Sequence, residues 1–139
     1  MKVININDDN FKNVEEFLKK VESVKVDQDI IHNASLLMDN DEIIGIISFE
    51  CFGKNGLIRY FIFTKIVDED NLSMLFNNLI VNAKERNINK LFSFIYNKNT
   101  LPIFEYLGFF EIDKKNIYVE EKKFDIMNKS TYVYCYNVS

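Results

Sequence analysis

The sequence predicts an α/β domain of the α+β kind: a mixed, mostly antiparallel central sheet of about six to seven strands with helices on both faces. Two observations carry that expectation. Three apolar runs follow one another between residues 35 and 64, separated only by turn-forming residues, as consecutive antiparallel strands require. Behind them comes the clearest helical period in the chain, Leu72, Leu75, Phe76, Leu79, Ile80 and Ala83, which runs into the apolar stretch 91–96. With 139 residues, 47% of them hydrophobic and 14% aromatic, the chain can close one core, so a single domain over 1–139 is expected.

Each element has a local reason. Residues 2–6 alternate apolar and polar and read as a first strand. Asp8 or Asp9 can then cap a helix whose apolar positions Phe11, Val14, Leu18 and Val21 form one stripe. Residues 24–33 carry a weaker pattern, a short helix or a loop. The runs 35–38 and 43–51 flank Asp39-Asn40-Asp41-Glu42, which is hairpin chemistry, and the turn Gly53-Lys54-Asn55-Gly56 leads into a strand over 57–64. For the helix over 71–86, Asp68 and Asp70 are the N-cap candidates, while Lys84 and Arg86 complement the negative end of the macrodipole. After the strand at 91–96, a short helix over about 100–107 tolerates Pro102 in its first turn. Gly108 then stands where a left-handed C-cap belongs. Strands over 116–124 and 131–138 close the chain.

Composition excludes several functions. A net charge of −4 and a pI near 5.1 argue against nucleic acid as a partner. The four glycines, Gly45, Gly53, Gly56 and Gly108, cannot spell a dinucleotide-binding fingerprint or a P-loop. Cys51 and Cys135 are too few for a disulfide scaffold or a cysteine zinc cluster, and His32 is the single histidine, so no metal site is expected. The start, MKVININDDN, lacks the apolar core of a signal peptide, and no apolar run approaches a membrane span. A cytoplasmic protein, monomer or homodimer, is the expectation. Tyr132, Tyr134 and Tyr136 alternate with Val133 and Cys135, reading as cross-strand packing or a sheet-edge dimer contact. Lys114-Lys115 and Lys122-Lys123 read as solvated surface.

Three segments resemble the GCN5-related N-acetyltransferase (GNAT) superfamily. Asp41-Glu42-Ile43-Ile44-Gly45 looks like its third-strand pattern, a charged turn leading into (I/V)-(I/V)-G. Residues 83–91 look like the end of its central helix and the entry to its fifth strand. Asn97, a short helix and Leu107-Gly108-Phe109 look like its motif N-x-x-A-x-x-x-Y-x-x-x-G-F. The resemblance implies acetyl-CoA as cofactor and a primary amine, on a small molecule or peptide, as acceptor. It implies that a splayed fourth strand, here Ile62, Phe63 and Thr64, holds the pantetheine arm. It also implies that the central helix start, here Asn71, Leu72 and Ser73, offers amides to the pyrophosphate, with Asn97 a further cofactor contact.

The sequence departs from that pattern at two places. Val67-Asp68-Glu69-Asp70-Asn71-Leu72 stands on the family's (R/Q)-x-x-G-x-(G/A) turn, so three carboxylates surround the pyrophosphate position, with Lys65 near enough in sequence to offset part of their charge. The family's tyrosine, a common proton donor to the leaving thiolate, is Phe104 here, and Tyr106 is turned roughly 200° away along a helix. The fourth strand has no acid at 56–58, which leaves Glu50 as the candidate base, against a plain reading as a solvated strand-end carboxylate. The expected function is therefore acetyl transfer from acetyl-CoA to an amine. The alternative is a catalytically inactive binding or interaction protein of the same fold that has lost pyrophosphate binding.

Overall fold

A computed structural model of the chain describes residues 1–21, 24–113, 118–119, 122–123 and 132–139. The order is β1 (Lys2–Asn5), α1 (Phe11–Lys19), α2 (Gln28–Ile31), β2 (Ser35–Asp39), β3 (Glu42–Phe52), β4 (Asn55–Phe63), α3 (Glu69–Glu85) and β5 (Lys90–Ile95). A 3-10 turn (Lys98–Thr100), α4 (Leu101–Tyr106), β6 (Phe110–Glu111), β7 (Tyr118–Val119), β8 (Lys122–Lys123) and β9 (Tyr132–Asn137) follow. Seven strands form one sheet in the order β1-β2-β3-β4-β5-β9-β6. Within it β4 and β5 run parallel and the other neighbours antiparallel.

Strand alternation gives the sheet two apolar faces, and helices cover both. On one face Leu37, Ile44, Ile47 and Phe49 meet the α3 stripe of Leu75, Phe76, Leu79 and Ile80. On the other, Leu36 and Ile46 meet Val14 and Leu18 of α1 and Ile31 of α2. Leu79 is fully buried, so truncating it to Ala would cost about 2–5 kcal/mol. A polar seam registers α3 against β1 and β2. Asn78 Nδ2 donates to Asn5 Oδ1 (2.8 Å) and Ser35 Oγ (2.9 Å), Asn82 Nδ2 to Asn5 Oδ1 (3.1 Å), and Ser35 Oγ to the Leu75 carbonyl (2.8 Å).

Several local expectations are corrected. Neither Asp8 nor Asp9 caps α1. Asn10 is the N-cap, and Asn7 and Asn10 exchange amide-to-side-chain bonds of 2.8 and 2.9 Å that close the turn before the helix. Of the two candidates for α3, Asp68 is the cap and Asp70 lies in the first turn. The turn before β4 is shorter than expected, because the strand already begins at Asn55. Of the strand expected over 116–124, the described residues are Tyr118–Val119 and Lys122–Lys123, which pair with each other, Tyr118 with Lys123 and Val119 with Lys122, in a ribbon separate from the main sheet; 116–117, 120–121 and 124 lie outside the described residues. Glu120-Glu121-Lys122-Lys123 breaks the alternation that a core strand needs. Lys114 and Lys115 lie outside the described residues. β9 pairs with β5 on one side and β6 on the other, so it is no sheet edge. Its tyrosines join the α3 face, with Tyr136 edge-on to Phe76 at 5.1 Å. Gly108 adopts φ +99° and closes α4, as its position predicts.

Candidate functional site

β4 and β5 start side by side and then part. Asn55 pairs with Lys90, Gly56 with Leu91 and Leu57 with Phe92, and the pairing stops there although β4 runs on to Phe63 and β5 to Ile95. A bulge turns β4 away. Its register against β3 slips between Ile46 and Ser48, and Tyr60 takes φ +56°, a conformation that costs a bulky residue about 1–3 kcal/mol. The surroundings hold it there: the Tyr60 hydroxyl accepts from the Asp27 amide (2.8 Å) and donates to the Lys25 carbonyl (2.5 Å).

The parting leaves a gap of about 410 Å³, walled by Ile58, Phe61, Phe63, Ser93, Ile95 and Phe104, with Tyr96 and Asn97 at its rim. A cavity of about 390 Å³ adjoins it at the mouth and shares Phe63 and Ile103 with it. Its outer wall is Lys65, Val67, Glu69, Leu72 and Tyr106, so the amino end of α3 stands there. Phe63 lies over Gly45, where a Cβ would sit 2.6 Å from its ring. A side chain at 45 would drive that ring into the gap.

The residues singled out from sequence fall as follows. Phe63 lines both cavities, Leu72 the outer one and Asn97 the inner one. Ile62 faces the opposite side of the sheet, among the α1 contacts. The Thr64 amide is already bound to the Ile44 carbonyl at 2.9 Å. Asn97 Oδ1 accepts from the Asn99 amide (2.9 Å) and caps the 3-10 turn. At α3 the Asp68 carboxylate takes the Asn71 amide (2.8 Å) and the Asp68 carbonyl takes that of Leu72 (3.0 Å). Helix geometry therefore leaves Glu69 and Asp70, not residues 71–73, with amides free of intrahelical partners. The Ser73 hydroxyl lies 3.1 Å from that of Tyr106. Lys65 does not turn toward the acidic helix start. It pairs with Asp39 (3.5 Å) and Glu42 (3.7 Å) on the β2–β3 hairpin.

α4 presents Phe104 to the gap, buried, with its ring edge-on to Phe61 (5.3 Å) and Phe109 (5.2 Å). Tyr106 stands at the mouth instead, about half-exposed. Glu50 opens onto a polar cleft of about 470 Å³ on the α2 side of the sheet and bonds Arg59 Nε at 3.2 Å. Arg59, Tyr60 and Phe61 belong to both this cleft and the gap, so the two meet across the bulge. An exposed pair like Glu50–Arg59 adds about 0–1 kcal/mol to stability, so its interest is its place at that junction. Sequence reasoning missed Arg59 and Tyr60, because nothing local announces a bulge or a positive φ at tyrosine. Burial pushes the Cys51 thiol up, against the lowering pull of Arg86, and burial also raises Cys135. Neither is poised as a thiolate nucleophile.

No sequence-family model matches the chain, and no curated protein matches it by sequence. Solved structures do. One is N-acetylglutamate synthase from Neisseria gonorrhoeae, complexed with coenzyme A and N-acetyl-glutamate, at TM-score 0.74 and 14% identity. That match covers 99% of this chain but 35% of the synthase, so the chain spans about a third of its length. A GNAT-family acetyltransferase from Staphylococcus aureus Mu50 matches at TM-score 0.65 and 19% identity over 99% of both chains. The ribosomal-protein-S18-alanine N-acetyltransferase of Escherichia coli matches at TM-score 0.64 and 10% identity, over 99% of this chain and 94% of the other. The sheet order, the parting of β4 from β5 and these superpositions agree: the chain has the fold of the GCN5-related N-acetyltransferases.

Proposed function

We propose that the chain transfers an acetyl group from acetyl-CoA to a primary amine. The parting of β4 and β5 carries this reading: it creates an apolar slot with an unpaired strand edge on one side and a helix amino end at its mouth. A pantetheine arm is a narrow chain punctuated by amides, and it needs apolar walls plus backbone partners. The edge of β4 around Ile62 and Phe63 supplies them. The N-acetylglutamate synthase of the same fold is complexed with coenzyme A, which supports the assignment.

The gap fits the arm, and the turn fits the pyrophosphate less well. Free amides of Glu69 and Asp70 and the positive end of α3 attract an anion. Asp68, Glu69 and Asp70 oppose it, each by about 1 kcal/mol at 4 Å in water and about 4 at an effective dielectric near 20. The reading therefore assigns the chain a weakly held donor gripped mainly by its pantetheine arm. When bound, the cofactor supplies an activated thioester. The chain's own residues do the rest. Asn97 offers an amide N–H at the rim, Arg59 and Tyr60 shape the passage from the polar cleft, and Glu50 is the carboxylate placed to take a proton from the incoming ammonium. Phe104 has no proton to give, so the residue at that place would supply none to a departing thiolate. A cytoplasmic setting belongs to the same reading.

A second reading, an inactive binding protein, is favoured by one observation: the Asp68 carboxylate already occupies the Asn71 amide. Calorimetric titration separates the two. Acetyl-CoA and S-acetylpantetheine should both bind with similar affinity, and silence from both at millimolar concentration would leave the inactive reading standing.

A further inference from the structure

Ser35, Ser48 and Ser93 are buried, and the first two are accounted for by the fold. The Ser35 hydroxyl donates to the Leu75 carbonyl (2.8 Å) and that of Ser48 to the Ile30 carbonyl (2.5 Å). Ser93 is 4% exposed, yet its hydroxyl bonds to no described residue. Nor is its oxygen sealed in: among the described residues the enclosed side-chain atom without a partner is Asn33 Oδ1, not Ser93 Oγ. Strand alternation settles where it points. Leu91 and Ile95, two residues to either side, join the core beneath α3, while Phe92 and Phe94 pack on the opposite face. On the α3 face Ser93 lines the gap with Ile95 and Phe104, so the hydroxyl opens into the gap. Buried polar groups are seldom left without a partner.

Its place is the closed end. The last pair between β4 and β5 is Leu57 with Phe92, so Ser93 is the first residue of β5 past the parting. Asn97 at the rim is about four residues further on, about 13 Å of strand at roughly 3.3 Å each. A pantetheine arm has about twelve bonds from phosphate oxygen to sulfur, the backbone length of about four extended residues, or roughly 13–14 Å. An arm entering at the rim therefore brings its thioester to Ser93 and leaves its amides nearer the mouth. The other hydroxyls of the wall are spent or remote. That of Tyr60 is bonded to Asp27 and Lys25, Thr100 Oγ1 donates to the Asn97 carbonyl (2.8 Å), and Tyr96 is 64% exposed. No carboxylate or imidazole of the described residues lines the gap to take the Ser93 proton, so the hydroxyl is a donor and not a nucleophile. A carbonyl oxygen accepts such a donor well, and a thioether sulfur only weakly.

We infer that the Ser93 hydroxyl donates a hydrogen bond to the carbonyl oxygen of the acyl thioester at the closed end of the gap. This role rests on the acyl-transfer reading. The bond orients the thioester in the donor complex, and it strengthens as amine attack moves negative charge onto that oxygen.

S-acetylpantetheine and S-ethylpantetheine test this, because the thioether lacks only the carbonyl oxygen. In calorimetric titrations of the whole chain, Ser93→Ala should weaken S-acetylpantetheine by about three- to tenfold, the worth of one neutral hydrogen bond, and leave S-ethylpantetheine unchanged. The thioether thus also reports that the gap is intact. Since the hydroxyl has no partner in the free chain, Ser93→Ala should keep or raise Tm, whereas Ser48→Ala should lower it. Infrared spectra with a 13C-labelled thioester carbonyl give a readout other than affinity: the band should lie at lower wavenumber on the unaltered chain than on Ser93→Ala. A band that the substitution does not move, or an equal loss of affinity for both ligands, would overturn the assignment. Either result, with S-acetylpantetheine still bound by the unaltered chain, leaves the acyl-transfer reading intact. Failure of the unaltered chain to bind S-acetylpantetheine at all removes that reading and the role of Ser93 with it.

Discussion

Asp68 both caps α3 and places a negative charge beside the proposed pyrophosphate position, and Asp68→Asn separates those roles. Asparagine caps a helix about as well as aspartate, so the bond to the Asn71 amide, 2.8 Å in the structure, is kept by the amide oxygen. What is lost is the favourable meeting of a carboxylate with the helix dipole, about 0.3–1 kcal/mol. That lowers Tm by about 1–4 °C in a chain of this size. What is gained is relief of repulsion. Asp68 is exposed, so the water-like end of the range applies, about 1 kcal/mol per phosphate charge at 4 Å. For two charges the gain is about 1–2 kcal/mol, a roughly 5- to 30-fold tighter Kd for acetyl-CoA. Calorimetry at low and high salt reads it, with S-acetylpantetheine as the control that lacks the pyrophosphate. The tightening should vanish with that control and shrink as salt rises. An unchanged Kd for acetyl-CoA, or an equal change for both ligands, would refute the placement of the pyrophosphate at α3.

Other perturbations follow from the same geometry. Gly45→Ala sets a Cβ 2.6 Å from the Phe63 ring, so the ring must move into the gap; unfolding should show about 1–3 kcal/mol lost, and S-acetylpantetheine should bind more weakly. Asn82→Leu removes donors from Asn5 and the Asn33 carbonyl and should cost about 1–3 kcal/mol by denaturant unfolding, whereas the exposed Asn77→Ala should stay within about 0.5. Tyr60→Phe breaks the bonds to Lys25 and Asp27, so the Asp27 amide should exchange hydrogen faster while the core amides of α3 do not. Alkylation of Cys51 should need a higher pH than a free cysteine does. Its raised pKa keeps the thiol protonated near neutrality, and Arg86→Gln removes a lowering influence and should push the requirement higher still.

The fold was legible where hydrophobic period and turn chemistry agree. The α3 stripe, the β2–β3–β4 succession and the Gly108 cap each follow from spacing that no tertiary contact overrides. The opposite-face split of Tyr132, Tyr134 and Tyr136 from Val133 and Cys135 is plain strand alternation. The failures have physical causes. At α1 neither aspartate caps: Asn7 and Asn10 close the turn before the helix on each other, and the Asn10 side chain makes no bond to the helix's first amides, an arrangement of the chain that residue type alone does not announce. Lys65 was near the acidic turn in sequence, but the hairpin acids Asp39 and Glu42 claimed it through space. The candidate site was legible only in part. Its backbone frame follows from element order, and Phe63, Leu72 and Asn97 do line it. The bulge at Tyr60 and the junction at Arg59 depend on contacts between segments 9 to 35 residues apart, which no local pattern encodes.

The most direct test of the central claim is a map of backbone amide shifts in a 15N-labelled sample as acetyl-CoA is added. Binding in the gap predicts the largest shifts along 58–63 of β4 and at Glu69 and Asp70, with Asn97 following and the α1 amides still. Saturating acetyl-CoA that moves none of these amides, or moves only those around Asp29 and Arg86, would contradict it.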